Sequence, residues 1–335
     1  MVWYCIFFFL ICFFLIVQQN YTLKFKLSTP VIFLFVSILV ILVVIRPSNL
    51  PDYIPYYKFY HGSLENGDRF EVTARIYRNI SPSFHVFLFL YALTSVFLKL
   101  YSIKQNSSYH ILSIITLIST SFLLHDFIQI RASCAIAIFL FSIKYLIEKK
   151  FLKYFLLICI ACLYHKSSAV FFVLPIFSSH KFNTKFWISL IIISYFFAFL
   201  KLDLFSLIEL ILPNDNYAYI LIKNLNEESH GVNVFNLEQL VKLSIVFYFI
   251  IYKNRLKNDK YIFLKIYILS IVILPFFSSL VVVAFRLAEM FNVVIVFLLP
   301  EIINISKNKK FGYYLFLFFC CCFFYINVIS VHYFK

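Results

Sequence analysis

The stretch PVIFLFVSILVILVVI, residues 30–45, is sixteen residues long and contains no charged side chain. The hydrocarbon core of a bilayer is about 30 Å thick, and a helix of about 20 mainly apolar residues crosses it. Similar apolar runs recur along the chain between short polar breaks, and the chain as a whole is 63% hydrophobic and 13% charged. Soluble domains are about 25% charged, so the sequence predicts an integral membrane protein.

The apolar runs predict an all-α transmembrane bundle of about 10–12 spans that forms one membrane domain over residues 1–335. The segment at 168–178 contains Pro175 and is too short to cross unaided, so we interpret it as half of a broken or re-entrant helix. The first segment lacks a basic start and a small-residue cleavage site, which favours a mature helix over a signal peptide. The predicted helices cover about 2–17, 30–45, 83–98, 110–124, 132–147, 152–164, 168–178, 186–200, 237–252, 262–280, 287–300 and 312–331.

The distribution of Lys and Arg predicts the orientation, because these residues are enriched in cytoplasmic loops. One set of alternate loops contains eighteen basic residues and only three acidic ones, Glu148, Asp259 and Glu301. The other set is neutral, so the net charge of +15 lies on one side, which is predicted to be cytoplasmic. Topology thus explains the basic excess, and no nucleic-acid partner is expected. The eighteen are Lys24, Lys26, Lys99, Lys104, Lys144, Lys149, Lys150, Lys153, Lys181, Lys185, Lys253, Arg255, Lys257, Lys260, Lys265, Lys307, Lys309 and Lys310.

The cysteines and the inner loops favour neither a metal site nor a nucleotide site. All eight cysteines lie inside apolar segments, and the CxxC pair Cys159 and Cys162 has no second pair, so neither a disulfide framework nor a metal is predicted. The inner loops are short and lack a phosphate-cradling glycine loop. We therefore expect no cofactor, and any chemistry is expected on the outer side.

Two outer loops are long, about 46–81 and 201–236. The first begins with several prolines, which predict an extended strap. Its second half, from Asp68 to Arg78, is predicted to be a helix that carries Glu71, Arg75 and Arg78 on neighbouring turns. Arginines beside one carboxylate suit an anionic ligand together with a proton acceptor. The alternative is a solvated loop with ordinary ion pairs.

Polar residues interrupt the apolar pattern at three further places. Ionisable groups at membrane depth are costly and usually mark a site or a pathway, although an interfacial turn or a structural helix end would also explain them. His165 is a candidate base, because histidine titrates near neutrality. The interrupting residues are His125, Asp126, Gln129 and Arg131; His165 and Lys166; and Arg286 and Glu289.

The predicted topology brings five arginines from three chain regions to the outer side, together with His165 from a fourth. Asp126, Glu71 and His165 are expected at a similar depth. Such a set would neutralise a pyrophosphate leaving group while a histidine or carboxylate deprotonates an attacking hydroxyl, and no divalent metal would be required. The arginines are Arg69, Arg75, Arg78, Arg131 and Arg286.

The same segments, in the same order over about residues 50 to 300, resemble the EpsG family, a branch of the Wzy-type polysaccharide polymerases. One departure is the sequence Glu71-Val72-Thr73, where the family has an E-P-G-like step. The resemblance is carried by GDRFEVTARIY (67–77), ISPSFHVFLFLYAL (80–93), HDFIQIRASCAIAIFLFSIKYL (125–146), LYHKSSAVFF (163–172) and RLAEMFNVVIVFLLP (286–300).

The resemblance implies a metal-independent glycosyltransferase with a helical bundle similar to the GT-C fold, in the bacterial cytoplasmic membrane. Its substrate would be an undecaprenyl-pyrophosphate-linked oligosaccharide, and the growing glycan would pass to the non-reducing end of another lipid-linked repeat unit. The arginines would bind the pyrophosphates, with Arg131 and Arg286 nearest the membrane, and His165 or Asp126 would be the base. Partners would be the bilayer and, in the same pathway, a chain-length regulator and a flippase.

Other functions use similar parts. A flippase or transporter would need polar groups through the mid-membrane region and, often, an internal repeat. An O-antigen ligase differs only in its acceptor. An O-acetyltransferase would need an acyl-CoA site on the cytoplasmic side, and a non-catalytic scaffold would not need Arg131 or Arg286.

Overall fold

The structure is a computed structural model, and it describes residues 29–63, 70–200, 232–278 and 280–330. The regular elements in these ranges are helices, which agrees with the predicted all-α membrane bundle. The α-helices are α1 Thr29–Val44, α2 Tyr53–His61, α3 Val72–Ile80, α4 Phe84–Asn106, α5 His110–Thr120, α6 Ile130–Ile147, α7 Phe151–Tyr164, α8 Thr184–Phe199, α9 Leu237–Ile251, α10 Tyr261–Phe276, α11 Val281–Asn292, α12 Ile295–Leu298, α13 Ile302–Ile305 and α14 Lys309–Phe324.

Tighter and wider helical turns join several of these helices. A π-helical segment, Phe122–Ile128, lies between α5 and α6, and a 3₁₀ helix, Lys166–Phe177, follows α7. This 3₁₀ helix covers the segment predicted at 168–178 and contains Pro175. Short 3₁₀ turns occur at Lys253–Arg255, Asn258–Lys260 and Leu299–Glu301, and a π-helical segment, Tyr325–Ser330, follows α14.

The chain forms two compact units. In unit 1, which comprises Met1–Ser178 and Val296–Lys335, α6 packs between α4 and α7, and α1 packs on α4. The helix α14 packs on α5 and α13 in the same unit. In unit 2, Ser179–Ile295, α10 is the central helix and contacts α8, α9 and α11.

Four helices in the described ranges are long and apolar enough to cross a membrane. A fifth is added if α5 and the π-helical segment after it, which are bent by 66° relative to each other, count as one broken span. Shorter apolar helices accompany them at Pro30–Val44, Phe151–Tyr164, Lys166–Phe177 and Thr184–Phe199. The four are Phe84–Asn106, Ile130–Ile147, Val281–Ile305 and Lys309–Asn327.

Most predicted helices lie within a few residues of the observed ones, but two boundaries differ clearly. The helix predicted at 83–98 continues to Asn106, and the one predicted at 287–300 is helical from Val281. Lys99 and Lys265, predicted in cytoplasmic loops, are instead inside α4 and α10, where they are 1% and 2% exposed. The Lys99 ammonium group is hydrogen-bonded to Asp126 and Ser133, and that of Lys265 to Ser179. The two helices therefore continue past these lysines. The helix predicted at 2–17 and most of the loop at 201–236 lie outside the described residues.

The loop at about 46–81, predicted to be outer, contains two short helices, α2 and α3. Tyr56 and Phe59 of α2 pack with Phe70 and with Phe84 and Phe87 of α4 in one aromatic core cluster. The helix α3 is shorter than predicted, because it starts at Val72 rather than at Asp68. Glu71 therefore flanks the helix instead of lying on its surface.

Candidate functional site

Glu71 and Arg131 form an ion pair that joins the first outer loop to the start of α6. The Arg131 Nη1 donates a hydrogen bond to Glu71 Oε2 across 60 residues of sequence. The guanidinium lies over the Phe70 ring, 4.3 Å from its centroid, and 5.7 Å from the Tyr56 centroid. The Glu71 side chain is 7% exposed and that of Arg131 is 23% exposed, so the pair is largely shielded but reachable.

His165 faces the second oxygen of the same carboxylate. It lies at the junction between α7 and the 3₁₀ helix, with an extended backbone, and its Nδ1 is 3.4 Å from Glu71 Oε1. The Thr73 hydroxyl donates to the Leu163 carbonyl at 2.8 Å and so ties α3 to the end of α7. Glu71 thus bridges Arg131 and His165, one carboxylate oxygen to each.

The surroundings of Glu71 keep its carboxyl group ionised. Burial raises its pKa, but the contact with His165 and the positive charge of Arg131 outweigh burial and lower the pKa to about 2. The carboxylate is therefore ionised at neutral pH and is a weak proton acceptor.

Arg46 is a further member of the site that the sequence did not single out. Its Nη1 donates to the Phe127 carbonyl at 2.7 Å, and its guanidinium lies 5.9 Å from the Tyr53 centroid and 6.0 Å from the Tyr56 centroid. Within the described ranges, its Nε and Nη2 have no hydrogen-bond partner. The position of Arg46 directly after the uncharged run at 30–45 was a signal that could have identified it.

Arg46 keeps its charge although it is only 5% exposed. Burial lowers its pKa to about 10, against the attraction of Tyr56, Tyr53 and Asp52. Both Arg46 and Arg131 lie about 6 Å from the ring of Tyr56, so two guanidinium groups share one aromatic neighbour. The positive charge of Arg131 is paired with Glu71, whereas no carboxylate among the described residues forms an ion pair with Arg46.

The other arginines of the first loop have different surroundings. Arg78 donates from Nε to the Tyr60 carbonyl at 3.0 Å, and its guanidinium lies 5.5 Å from the Phe59 centroid. It also packs against Gly62, whose φ of 75° lies in the left-handed region, and a Cβ at this glycine would be 2.8 Å from Arg78 Nη2. Arg75 is exposed on α3, and Arg69 lies outside the described residues.

Asp126 is a fully paired residue of the core, which differs from the predicted base near the outer side. Its Oδ2 accepts from Lys99 Nζ at 2.5 Å, and its Oδ1 accepts from Ser95 at 2.6 Å and from Ser133 at 2.8 Å. Lys99 also donates to Ser133 at 2.7 Å. All four residues are 1% exposed. This closed network joins α4, the π-helical segment and α6, and both oxygens of the Asp126 carboxylate are hydrogen-bonded within it.

The supporting residues are divided between buried and exposed positions. His125, in the π-helical segment, is 2% exposed, and Gln129, which follows that segment, is half-buried. Lys166 is exposed at the start of the 3₁₀ helix. Arg286 and Glu289 lie on α11 in unit 2, where Arg286 is exposed and Glu289 is half-buried. The structure thus brings Glu71, Arg131 and His165 together, and their roles stay predictions.

No group of three His, Cys, Asp or Glu side chains that could hold a metal ion occurs in the part of the chain that the structure describes. Comparison with known families gives one match: the model of the EpsG family matches residues 30–335. No curated protein and no solved structure matches the chain.

Proposed function

The chain belongs to the EpsG family, whose members are polysaccharide-polymerase-like membrane proteins, and from this premise we propose a specific transfer reaction. The growing glycan moves from undecaprenyl pyrophosphate to the non-reducing end of another lipid-linked repeat unit, on the outer side of the bacterial cytoplasmic membrane. The bridge that Glu71 forms between Arg131 and His165 is the observation that carries this proposal.

The pyrophosphate of the donor binds at the two guanidinium groups beside Tyr56. Arg131 and Arg46 form charge-assisted hydrogen bonds with the phosphate oxygens, and the aromatic rings of Tyr56 and Phe70 keep the guanidinium planes in place. As the anomeric carbon separates from its phosphate oxygen, negative charge grows on the pyrophosphate. Fixed positive charge in a shielded site stabilises that change. Arg69, Arg75, Arg78 and Arg286 remain further candidates for binding the second pyrophosphate.

His165 activates the acceptor. Its Nε2 takes the proton from the attacking sugar hydroxyl while the oxygen forms a bond to the anomeric carbon of the donor. The pyrophosphate leaves with the electron pair of the broken bond. The proton taken from the hydroxyl stays on His165, which becomes positively charged. Glu71 holds Nδ1 and stabilises this positive charge at a distance of 3.4 Å. In this proposal His165 is the base, Glu71 orients it, and Arg131 and Arg46 form the anion site.

A flippase is the second candidate, because a charged pair does lie inside the bundle. Lys99 and Asp126 are deep in α4 and the π-helical segment, where a pathway through the membrane would pass. However, Lys99 and Asp126 are 1% exposed and are hydrogen-bonded to each other and to Ser133. Such a closed network suits helix packing better than the binding of a passing headgroup.

The test is the length of the surface polysaccharide in a deletion strain. The strain is complemented with wild type, Arg131→Gln or His165→Gln, and the exposed Arg255→Gln and His180→Gln serve as matched controls. Membrane levels are checked for each variant. Polymerase function predicts a single repeat unit in the deletion strain, a ladder with wild type and both controls, and no ladder with either site variant. Lipid-linked units trapped on the cytoplasmic side of the deletion strain would instead support the flippase.

A further inference from the structure

A chain of hydroxyl groups links α3 to the end of α7, where His165 follows. The Tyr77 hydroxyl of α3 is 2.8 Å from the hydroxyl of Tyr164, the residue directly before His165. The same Tyr77 hydroxyl is 2.9 Å from the Thr94 hydroxyl on α4. Tyr77 therefore contacts two helices of unit 1 at once, and it does so from the short helix that Glu71 precedes.

The direction of these hydrogen bonds follows from the number of protons. The Thr94 hydroxyl donates its one proton to the Leu90 carbonyl at 2.8 Å, so it accepts the proton of Tyr77. Tyr77 then has no proton left for Tyr164, so the Tyr164 hydroxyl donates to Tyr77. The chain runs from Tyr164 through Tyr77 and Thr94 to the backbone of α4. Each hydrogen bond in such a chain polarises and strengthens the next.

The rings around this chain are packed as well as hydrogen-bonded. Tyr77, Tyr91 and Tyr164 meet edge to face in pairs, with ring centroids 4.9 Å, 6.0 Å and 6.4 Å apart. Edge-to-face contacts between aromatic rings are favourable. Because the three rings restrain one another, the Tyr164 side chain fixes the last turn of α7 against α3 and α4.

Three side-chain contacts thus join α3 and the residue before it to three consecutive residues at the end of α7. His165 is the last of these three, and its backbone is extended rather than helical. The position of its imidazole therefore depends on how firmly the two preceding residues are held. The contacts are those of Glu71 with His165, Thr73 with the Leu163 carbonyl, and Tyr77 with Tyr164.

We propose that Tyr77 and Tyr164 are positioning residues that hold His165 at its distance from Glu71. The catalytic consequence rests on the proposed function, in which His165 is the base. Without the hydroxyl contact, the end of α7 can shift relative to α3, and the imidazole moves away from the attacking hydroxyl. A misplacement of about 1 Å can lower a reaction rate about 100-fold.

The first test compares Tyr77→Phe and Tyr164→Phe with wild type in the polymerisation of lipid-linked repeat units by membranes of the deletion strain. Each variant keeps its ring and loses one hydroxyl, and each is expected to lower the rate about 10- to 100-fold. The double variant is expected to be no slower than Tyr77→Phe, because both substitutions remove the same contact. Tyr109→Phe is the matched control, since it loses a hydroxyl in unit 1 that donates to Asn304 and should keep the wild-type rate.

The His165→Gln background separates positioning from a general loss of stability. If Tyr77 acts through His165, Tyr77→Phe lowers the rate of wild type but not the residual rate of His165→Gln. Loss of folded protein would lower both rates by the same factor. Binding of inorganic pyrophosphate by Tyr77→Phe is expected to be unchanged, because Arg46 and Arg131 stay in place.

The second test is a chemical probe of His165 that needs no polymerase activity. The His165 side chain is 17% exposed, so diethyl pyrocarbonate reaches it slowly, and mass spectrometry of its peptide follows the modification. This modification is expected to be about 3- to 10-fold faster in Tyr77→Phe, the effect of one hydrogen bond on an equilibrium. The control Tyr109→Phe is expected to react like wild type.

The proposal is wrong if Tyr77→Phe has the wild-type rate, if it slows His165→Gln by the same factor as wild type, or if its His165 reacts no faster. Any of these results, together with a polymer ladder that still requires His165, rejects the positioning role and keeps the polymerase. Conversely, no polymer from wild type, together with faster modification of His165 in Tyr77→Phe, rejects the polymerase and keeps the positioning of His165.

Discussion

The contact between Glu71 and His165 makes a quantitative prediction about catalysis. If Glu71 acts through His165, replacing it by Gln removes the negative charge that stabilises the protonated imidazole in the transition state. Two unit charges 3.4 Å apart attract by about 5 kcal/mol at an effective dielectric constant of 20 and by about 1 kcal/mol in bulk water. The side chains are 17% and 7% exposed, which places the interaction between these limits, at about 2–4 kcal/mol.

This energy corresponds to a loss of rate of about 30- to 1,000-fold in Glu71→Gln, because 1.4 kcal/mol changes a rate tenfold. The assay is a double-mutant cycle on polymer formation in membranes of the deletion strain supplied with lipid-linked repeat units. His165→Gln is expected to lower the rate about 100- to 10,000-fold, as for the loss of a general base. The double variant is expected to be no slower than His165→Gln alone, since Glu71 has no base left to assist.

Multiplicative effects of the two substitutions would refute this account, because they would show that Glu71 acts independently of His165. Glu71→Gln also leaves Arg131 without its carboxylate, so each variant is checked for binding of inorganic pyrophosphate. Unchanged or tighter pyrophosphate binding by Glu71→Gln is expected, since one negative charge near the anion is removed.

Three further outcomes follow from the same structure. Lys99→Met leaves Asp126 buried without its cation and is expected to lower the free energy of unfolding by about 3–5 kcal/mol, most of which the additional substitution Asp126→Leu restores. Thermal unfolding in detergent measures both variants, and a double variant no more stable than Lys99→Met would contradict the pairing. Arg46→Gln keeps a donor for the Phe127 carbonyl but loses the positive charge, so the affinity for pyrophosphate should fall about tenfold while the melting temperature stays unchanged. An affinity equal to that of wild type would exclude Arg46 from the anion site. Because the pKa of Glu71 is lowered to about 2, its charge stabilises the fold above pH about 4, and this contribution is lost as the pH falls toward 2. The difference in melting temperature between wild type and Glu71→Gln should therefore narrow only between pH about 4 and about 2, and a difference that disappears near pH about 6 would contradict the lowered pKa.

Hydropathy was sufficient to predict most helices of this protein, because an apolar run in a membrane has no alternative to helical structure. The predicted helices were too short where a charged residue lies inside the observed helix, as Lys99 does in α4 and Arg286 in α11. Lys99 was assigned to a cytoplasmic loop because sequence alone gives the cost of a buried lysine but not the carboxylate that compensates it. Its partner, Asp126, is 27 residues away on a different element. The same pairing buries Asp126, whose role as a base stays a prediction.

The candidate site was predicted in part. Topology placed Glu71, Arg131 and His165 at the same depth, and the structure brings these three side chains into contact. Pairing across 60 residues depends on how α3 docks against α6 and α7, which no local pattern encodes. Arg46 was missed because a single arginine after an apolar helix is also the usual end of a span. Its buried guanidinium and unpaired nitrogens are visible only in three dimensions.

The most direct test of the central claim is polymerisation by the purified protein in liposomes that contain purified undecaprenyl-pyrophosphate-linked repeat units. The account predicts a ladder of lipid-linked oligomers with wild type, release of undecaprenyl pyrophosphate in step with each added unit, and no ladder with Arg131→Gln or His165→Gln. Movement of single units across the liposome membrane without any longer product would contradict it.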